Sequence, residues 1–84
     1  MKITAEISYY ALMNQYQEPV GDFINEIRKN PKITLEPGTM SSMLTGDYEE
    51  IMDLLKQQIK PFMEKYPSVF SLKISNACKS LEDL

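Results

Sequence analysis

The chain has 84 residues, 43% of them apolar and 25% charged, and no Pro-, Ser- or Gly-rich stretch divides it, so one domain is expected. Nine basic against twelve acidic residues give a net charge of -3, and the basic ones are scattered, which argues against a nucleic-acid partner. The longest apolar runs fall far short of the roughly 20 residues that cross a bilayer, and no charged-then-apolar export pattern opens the chain, so a cytoplasmic protein without a membrane partner is expected.

Residues Lys2 to Tyr10 alternate, with Ile3, Ala5, Ile7 and Tyr9 against Lys2, Thr4, Glu6, Ser8 and Tyr10, which predicts a half-buried strand. A polar connection from Met13 to Gln17 leads to Glu18-Pro19, where proline suits a first helical turn because the N–H it lacks would be unpaired there. Val20, Phe23, Ile24 and Ile27 then fall at i, i+3, i+4 and i+7, a single apolar stripe, and Asn30-Pro31 ends the helix. Ile33 to Glu36 alternates again. Pro37-Gly38 is a turn dipeptide and Thr39 to Thr45 completes a predicted hairpin. At Gly46-Asp47 the period changes, with Asp47 and Glu50 spaced for a capping box. Ile51, Leu54, Leu55, Ile59, Phe62, Met63 and Tyr66 continue a helical stripe, in which Pro61 predicts a kink or an earlier stop. Phe70, Leu72 and Ile74 mark a last strand over Val69 to Ser75, and residues 76–84 read as a tail.

Two successive strand-helix-strand units with right-handed crossovers bring the first and third strands to the sheet centre. The predicted fold is therefore α+β: a ferredoxin-like βαββαβ sandwich, a four-stranded antiparallel sheet with two helices on one face. The helices should cover Ile3, Ile7, Phe70, Leu72 and Ile74, leaving Thr4, Glu6, Ser8, Tyr10, Ser71 and Lys73 on the other face. That second face is either solvated, with Glu6 and Lys73 as a cross-strand pair, or covered by a second subunit. A domain this short buries only roughly 60% of its unfolded surface, which favours self-association. Of the two outer strands, the apolar Val69-Phe70 edge is the better candidate for pairing with a partner.

Chemistry-bearing groups are few. Histidine is absent and Cys78 is the single cysteine, so no intrachain disulfide and no zinc or copper ligand set is expected. The three glycines, Gly21, Gly38 and Gly46, stand too far apart for a phosphate loop. Serines and lysines on a sheet are usually plain surface residues, so no enzymatic activity, no catalytic residue, no metal and no cofactor are expected.

Three segments resemble the small thiamine-binding proteins, a family of ferredoxin-like domains that associate into dimers and tetramers: I-T-A-E-I-S-Y-Y at residues 3 to 10, T-M-S-S-M-L at 39 to 44 and S-L-K-I-S at 71 to 75. The resemblance covers residues 1–75. In that family the first strand commonly begins alanine-glutamate-apolar-serine and ends near proline-leucine; Ala5, Glu6, Ile7 and Ser8 match, and Ala11 replaces the proline before Leu12. The hairpin commonly shows glycine-methionine-small-threonine; Thr39 stands at the glycine, Met40 matches, and Ser41 and Ser42 keep small hydroxyls.

The resemblance implies a non-enzymatic homodimer or homotetramer that binds thiamine or its hydroxymethylpyrimidine moiety, in vitamin salvage, delivery or sensing. Thiamine joins a flat aminopyrimidine to a cationic thiazolium, which calls for a planar or methionine surface, a hydroxyl and preferably a carboxylate. Tyr10, Met40, Ser8, Ser42 and Glu6 supply these groups, with Ser41 as the alternative to Ser42 because alternation puts the two on opposite faces. Each has a structural rival: Met40 as core filler, Tyr10 at an oligomer seam, Glu6 paired with Lys73, and the serines in strand packing. After the last strand Asn76-Ala77-Cys78-Lys79 departs from the acidic, arginine-rich segment of some relatives. The alternative function is therefore a ferredoxin-like oligomeric interaction module without a small-molecule ligand.

Overall fold

The computed structural model describes residues 1–15, 17–38 and 40–77. The expectations placed on Thr39, on Cys78 and on the rest of the tail to residue 84 lie outside the described residues.

Strand β1 (Lys2–Ala11) buries Ile3, Ala5 and Ile7 and half-buries Thr4, Glu6 and Ser8 between them, the two-residue period that the sequence displays. Helix α1 (Gln17–Arg28) carries Pro19 in its first turn and buries Pro19, Phe23 and Ile27, while Val20 and Ile24 are only half-buried. Its end tightens through Lys29 N–H to Glu26 C=O and Asn30 N–H to Ile27 C=O, so that Pro31 follows a finished helix. Strands β2 (Thr34–Pro37) and β3 (Ser42–Asp47) form the expected hairpin, but β3 begins at Ser42, later than the expected Thr39.

Helix α2 (Tyr48–Lys65) departs from expectation at its start. Asp47 occupies the N-cap position in extended conformation but makes no side-chain cap bond, so the capping box with Glu50 does not form. Strand β3 runs into α2 without a loop, and Asp47 is still a strand residue opposite Lys2. The Tyr48 N–H instead donates to the Met1 carbonyl at 2.8 Å, and Glu50 turns to Lys32 Nζ at 3.4 Å and Asn30 Nδ2 at 3.5 Å. Pro61 does not stop the helix, which continues to Lys65 and closes with Tyr66 N–H on the Phe62 carbonyl. Strand β4 (Ser68–Ser75) completes the chain's regular structure among the described residues.

The sheet order is β2-β3-β1-β4 with every pair antiparallel, the ferredoxin-like α+β arrangement. Ile3, Ala5, Ile7 and Leu44 from the central strands meet Phe23 and Ile27 of α1 and Ile51, Leu54 and Leu55 of α2. One end of this core is aromatic. Tyr9 stacks on Phe70 at 4.4 Å, while Phe23 and Phe62 meet Tyr9 edge-on at 5.3 and 5.9 Å. Such pairs each add about 0.5–1.5 kcal/mol beyond their buried area.

The register places Phe70, Leu72 and Ile74 opposite Tyr9, Ile7 and Ala5, on the helix-bearing face as expected. Coverage is another matter. Leu72 is 39% and Ile74 45% exposed, since β4 is the edge strand, with β1 on one side only.

Candidate functional site

The site arises from unequal strand lengths. β1 pairs with β3 from Lys2 to Ile7 and with β4 on through Ala11, so Ser8 to Ala11 have a strand on one side only. A buried strand edge must find other partners for its peptide groups. The hairpin that would have filled the gap turns away at Gly38 to Ser41, where Gly38 N–H donates to the Ser41 carbonyl at 2.8 Å. Gly38 is needed at this corner: a Cβ there would stand 2.7 Å from that same carbonyl oxygen. Across the gap, Ser8 Oγ donates to the Met40 carbonyl at 3.3 Å, a strap from the strand to the hairpin tip.

The result is a cavity of about 530 Å³, within the usual size range of small-molecule pockets. Helix α1 forms its floor with Val20, Phe23, Ile24 and Ile27, β1 contributes Ile7 to Ala11 with Leu12 beyond it, and the hairpin contributes Gly38 and Met40 to Ser42. Its walls are mainly apolar, its polar lining residues are Ser8, Tyr9, Tyr10, Ser41 and Ser42, and among the described residues no carboxylate, lysine or arginine lines it.

Five of the six sequence-predicted residues meet here. Ser8 is half-buried and bonded to the strap; Tyr10 is 51% exposed at the mouth. Met40 is 84% exposed at the lip and is therefore no core filler. Ser42 lies opposite Ile7 on the helix-bearing face and is 8% exposed, with no hydrogen-bond partner for its hydroxyl among the described residues, and Ser41 precedes the strand. Ser41 and Ser42 both reach the cavity together with Ser8 and Tyr10, because past Ile7 β3 no longer lies beside β1 to separate the two faces of the sheet there.

Glu6 lies outside. It stands between Met43 and Lys73 in the register, within the fully paired part of the open face, and makes no ion pair with Lys73 among the described residues. Sequence reasoning missed the α1 floor as part of a site. The signal was a stripe made wider than the core needs by Val20 and Ile24, which look into the cavity instead of the packed interior.

A second groove, of about 570 Å³, runs between the outer faces of the helices and differs in kind. Its charges serve the surface: Lys29 bonds Glu26 at 2.7 Å, and Lys65 lies over the Tyr66 ring at 5.2 Å. The hydrogen bond to Tyr66, aided by that ring's charge interaction, raises the Lys65 pKa above its ordinary value. Among the described residues no helix is long and apolar enough to cross a membrane.

Comparison with solved structures finds this architecture elsewhere. A Thermotoga maritima protein provisionally assigned to thiamine biosynthesis or salvage superposes with a TM-score of 0.83 at 22% identity, covering 99% of this chain and 94% of that one. The Streptococcus pneumoniae protein SP2199 gives 0.85 at 16% identity, covering 99% and 96%, and a Bacillus cereus domain of unknown function gives 0.76 at 17%, covering 99% and 86%. The fold is shared. No protein-family model matches the chain, and no curated protein matches it in sequence.

Proposed function

We propose that this chain is a non-enzymatic, homo-oligomeric binding protein for thiamine or its hydroxymethylpyrimidine moiety, held in the cavity beside the unpaired end of β1. The observation that carries the reading is the lining itself: apolar walls around several hydroxyls, with no charged side chain among the described residues. A flat, neutral heteroaromatic ring with a few polar substituents is the complement of such a surface, and the exposed peptide edge of Ser8 to Ala11 offers further donors and acceptors. The fold shared with the Thermotoga protein supports the choice among such rings.

The same lining supports binding without catalysis. A serine hydroxyl needs a base within hydrogen-bond reach to act as a nucleophile, and no carboxylate or lysine among the described residues lines the cavity with these serines. With Glu6 outside, the cationic thiazolium finds no partner charge inside the cavity, so the pyrimidine ring supplies most of the affinity and the thiazolium faces the mouth.

Calorimetric titration tests this directly. Saturable binding of hydroxymethylpyrimidine and of thiamine, with affinities within roughly tenfold of one another, is expected. Absence of heat and of any melting shift at about 1 mM of either compound overturns the reading, since a ligand held only by the folded state must raise its melting temperature. An intact oligomer with that negative result would point to the interaction module.

A further inference from the structure

We infer that the main chain of Tyr9 and Ala11 reads the edge of the ligand in the cavity beside β1, and that it selects planar heterocycles whose primary amine stands between two hydrogen-bond acceptors. The inference rests on the proposed binding role of that cavity and adds the chemistry by which the ligand is chosen.

Each peptide group of β1 can be assigned to one side of the strand. In an extended strand the N–H and C=O of one residue point the same way, and those of the next residue point oppositely. The Leu12 N–H donates to the Pro67 carbonyl in continuation of the β1–β4 register, so Ser8, Tyr10 and Leu12 turn their groups to β4. The Tyr48 N–H donates to the Met1 carbonyl in continuation of the β1–β3 register, so Ile7, Tyr9 and Ala11 turn theirs to the other side. Ile7 meets Ser42 there in the last pair of that ladder.

Beyond this pair the Ala11 carbonyl accepts from the Met13 N–H at 2.9 Å. Three groups are left without a partner among the described residues: the Tyr9 N–H, the Tyr9 carbonyl and the Ala11 N–H. They form a row that reads donor, acceptor, donor. Tyr9 is half-buried and Ala11 buried, and peptide groups in such places call for a partner. Ser42 gives a second, independent signal: it is nearly buried, it lines the same cavity, and its hydroxyl has no partner among the described residues.

The complement of the row is acceptor, donor, acceptor. An aromatic primary amine presents it in one plane when a ring nitrogen stands on one side and a hydroxymethyl oxygen or a second ring nitrogen on the other. The amine donates to the Tyr9 carbonyl, and its two neighbours accept from the Tyr9 and Ala11 N–H groups. Val20 and Ile24 of α1 lie on the apolar floor that receives the ring. Hydroxymethylpyrimidine carries this edge, and so does adenine. A 4-oxo pyrimidine sets its own carbonyl against the Tyr9 carbonyl, and thiamine, with thiazolium in place of the hydroxyl, loses one of the three contacts.

Calorimetry on the full chain, with amide NMR on the same samples, compares hydroxymethylpyrimidine, its 4-oxo analogue, the analogue with methyl in place of hydroxymethyl, and adenine. The 4-oxo compound should bind at least roughly tenfold more weakly than the amine, and the methyl compound roughly 2- to 12-fold more weakly. The Tyr9 and Ala11 amide protons should move downfield at saturation. Ala11→Pro removes a donor that neither neighbouring strand uses and should weaken hydroxymethylpyrimidine by a similar roughly 2- to 12-fold. If that variant fails to fold, the analogue series on the unaltered chain decides. Hydroxymethylpyrimidine bound no tighter than its 4-oxo analogue, or bound with the Tyr9 and Ala11 amides unmoved, overturns the inference and leaves the proposed function standing. Adenine bound without hydroxymethylpyrimidine upholds the row and removes thiamine as the ligand. No heat and no melting shift from either amine at about 1 mM overturns both.

Discussion

Ser42→Ala separates a ligand-facing hydroxyl from a structural one. Ser42 is nearly buried beside Ile7, and its hydroxyl has no partner among the described residues. Removing it therefore breaks no hydrogen bond within the fold and relieves a polar group from a mainly apolar wall. The stability of the free protein should change by less than about 1 kcal/mol, a shift below roughly 4–8 °C in Tm for a domain of this size. The ligand, in contrast, loses one neutral hydrogen bond of about 0.5–1.5 kcal/mol, so the Kd for hydroxymethylpyrimidine should rise roughly 2- to 12-fold. Thermal melting of the free protein and calorimetry of the complex give the two numbers independently. A large fall in Tm with an unchanged Kd would refute the reasoning and make Ser42 a packing residue.

Gly38 and Gly21 should respond in opposite directions. Gly38→Ala puts a Cβ against the Ser41 carbonyl, so the hairpin tip must shift, with a loss of about 1–3 kcal/mol in urea unfolding and weaker ligand binding. Gly21→Ala in α1 meets nothing within 4 Å and should gain about 0.5–1 kcal/mol in the same assay. Phe23→Ala removes a buried ring at the centre of the aromatic group and should cost about 3–5 kcal/mol, enough to leave most of the chain unfolded in mild urea. Glu50→Ala tests the absent capping box: with only a long ion pair to Lys32 and a long hydrogen bond from Asn30 at stake, chemical denaturation should detect less than about 1 kcal/mol.

Much of the fold was legible because its signals are local and periodic. The alternation of Ile3, Ala5 and Ile7 gives β1, the Val20-to-Ile27 spacing gives α1, and the order of elements gives the sheet. The failures were places where tertiary context overrode a local cue. Glu50 sits at capping distance from Asp47 but is drawn to Lys32 and Asn30, and Met1 satisfies the helix terminus in its place. Leu72 and Ile74 have the right period for the covered face, but period reports direction and not whether anything lies above. In the candidate site, Ser8, Tyr10 and Met40 to Ser42 could be chosen as residues, yet nothing local revealed that β3 stops pairing at Ser42 and opens a gap through the sheet.

That gap explains how so small a domain holds a cavity at all. A chain of this length cannot hollow its core without losing the burial that keeps it folded. Here the interior near Ile3, Ala5 and Leu44 stays closed, and the space is made at the periphery by letting β1 outrun its neighbour by four residues. The cost is a strand edge whose peptide groups lack a second strand, and it falls where Phe23 and the aromatic group already stiffen the strand from below. A ligand entering the gap displaces water from groups that the fold has left unpaired, so its hydrogen bonds compete with solvent and not with the sheet. Binding should accordingly leave the β1–β4 pairing intact, with amide exchange slowing at Tyr9 and Ala11, whose N–H groups point to the gap, and unchanged at Ser8, at Tyr10 and from Thr4 to Ile7; slowing spread evenly along β1 would mean that the ligand acts on the whole domain and not at the gap.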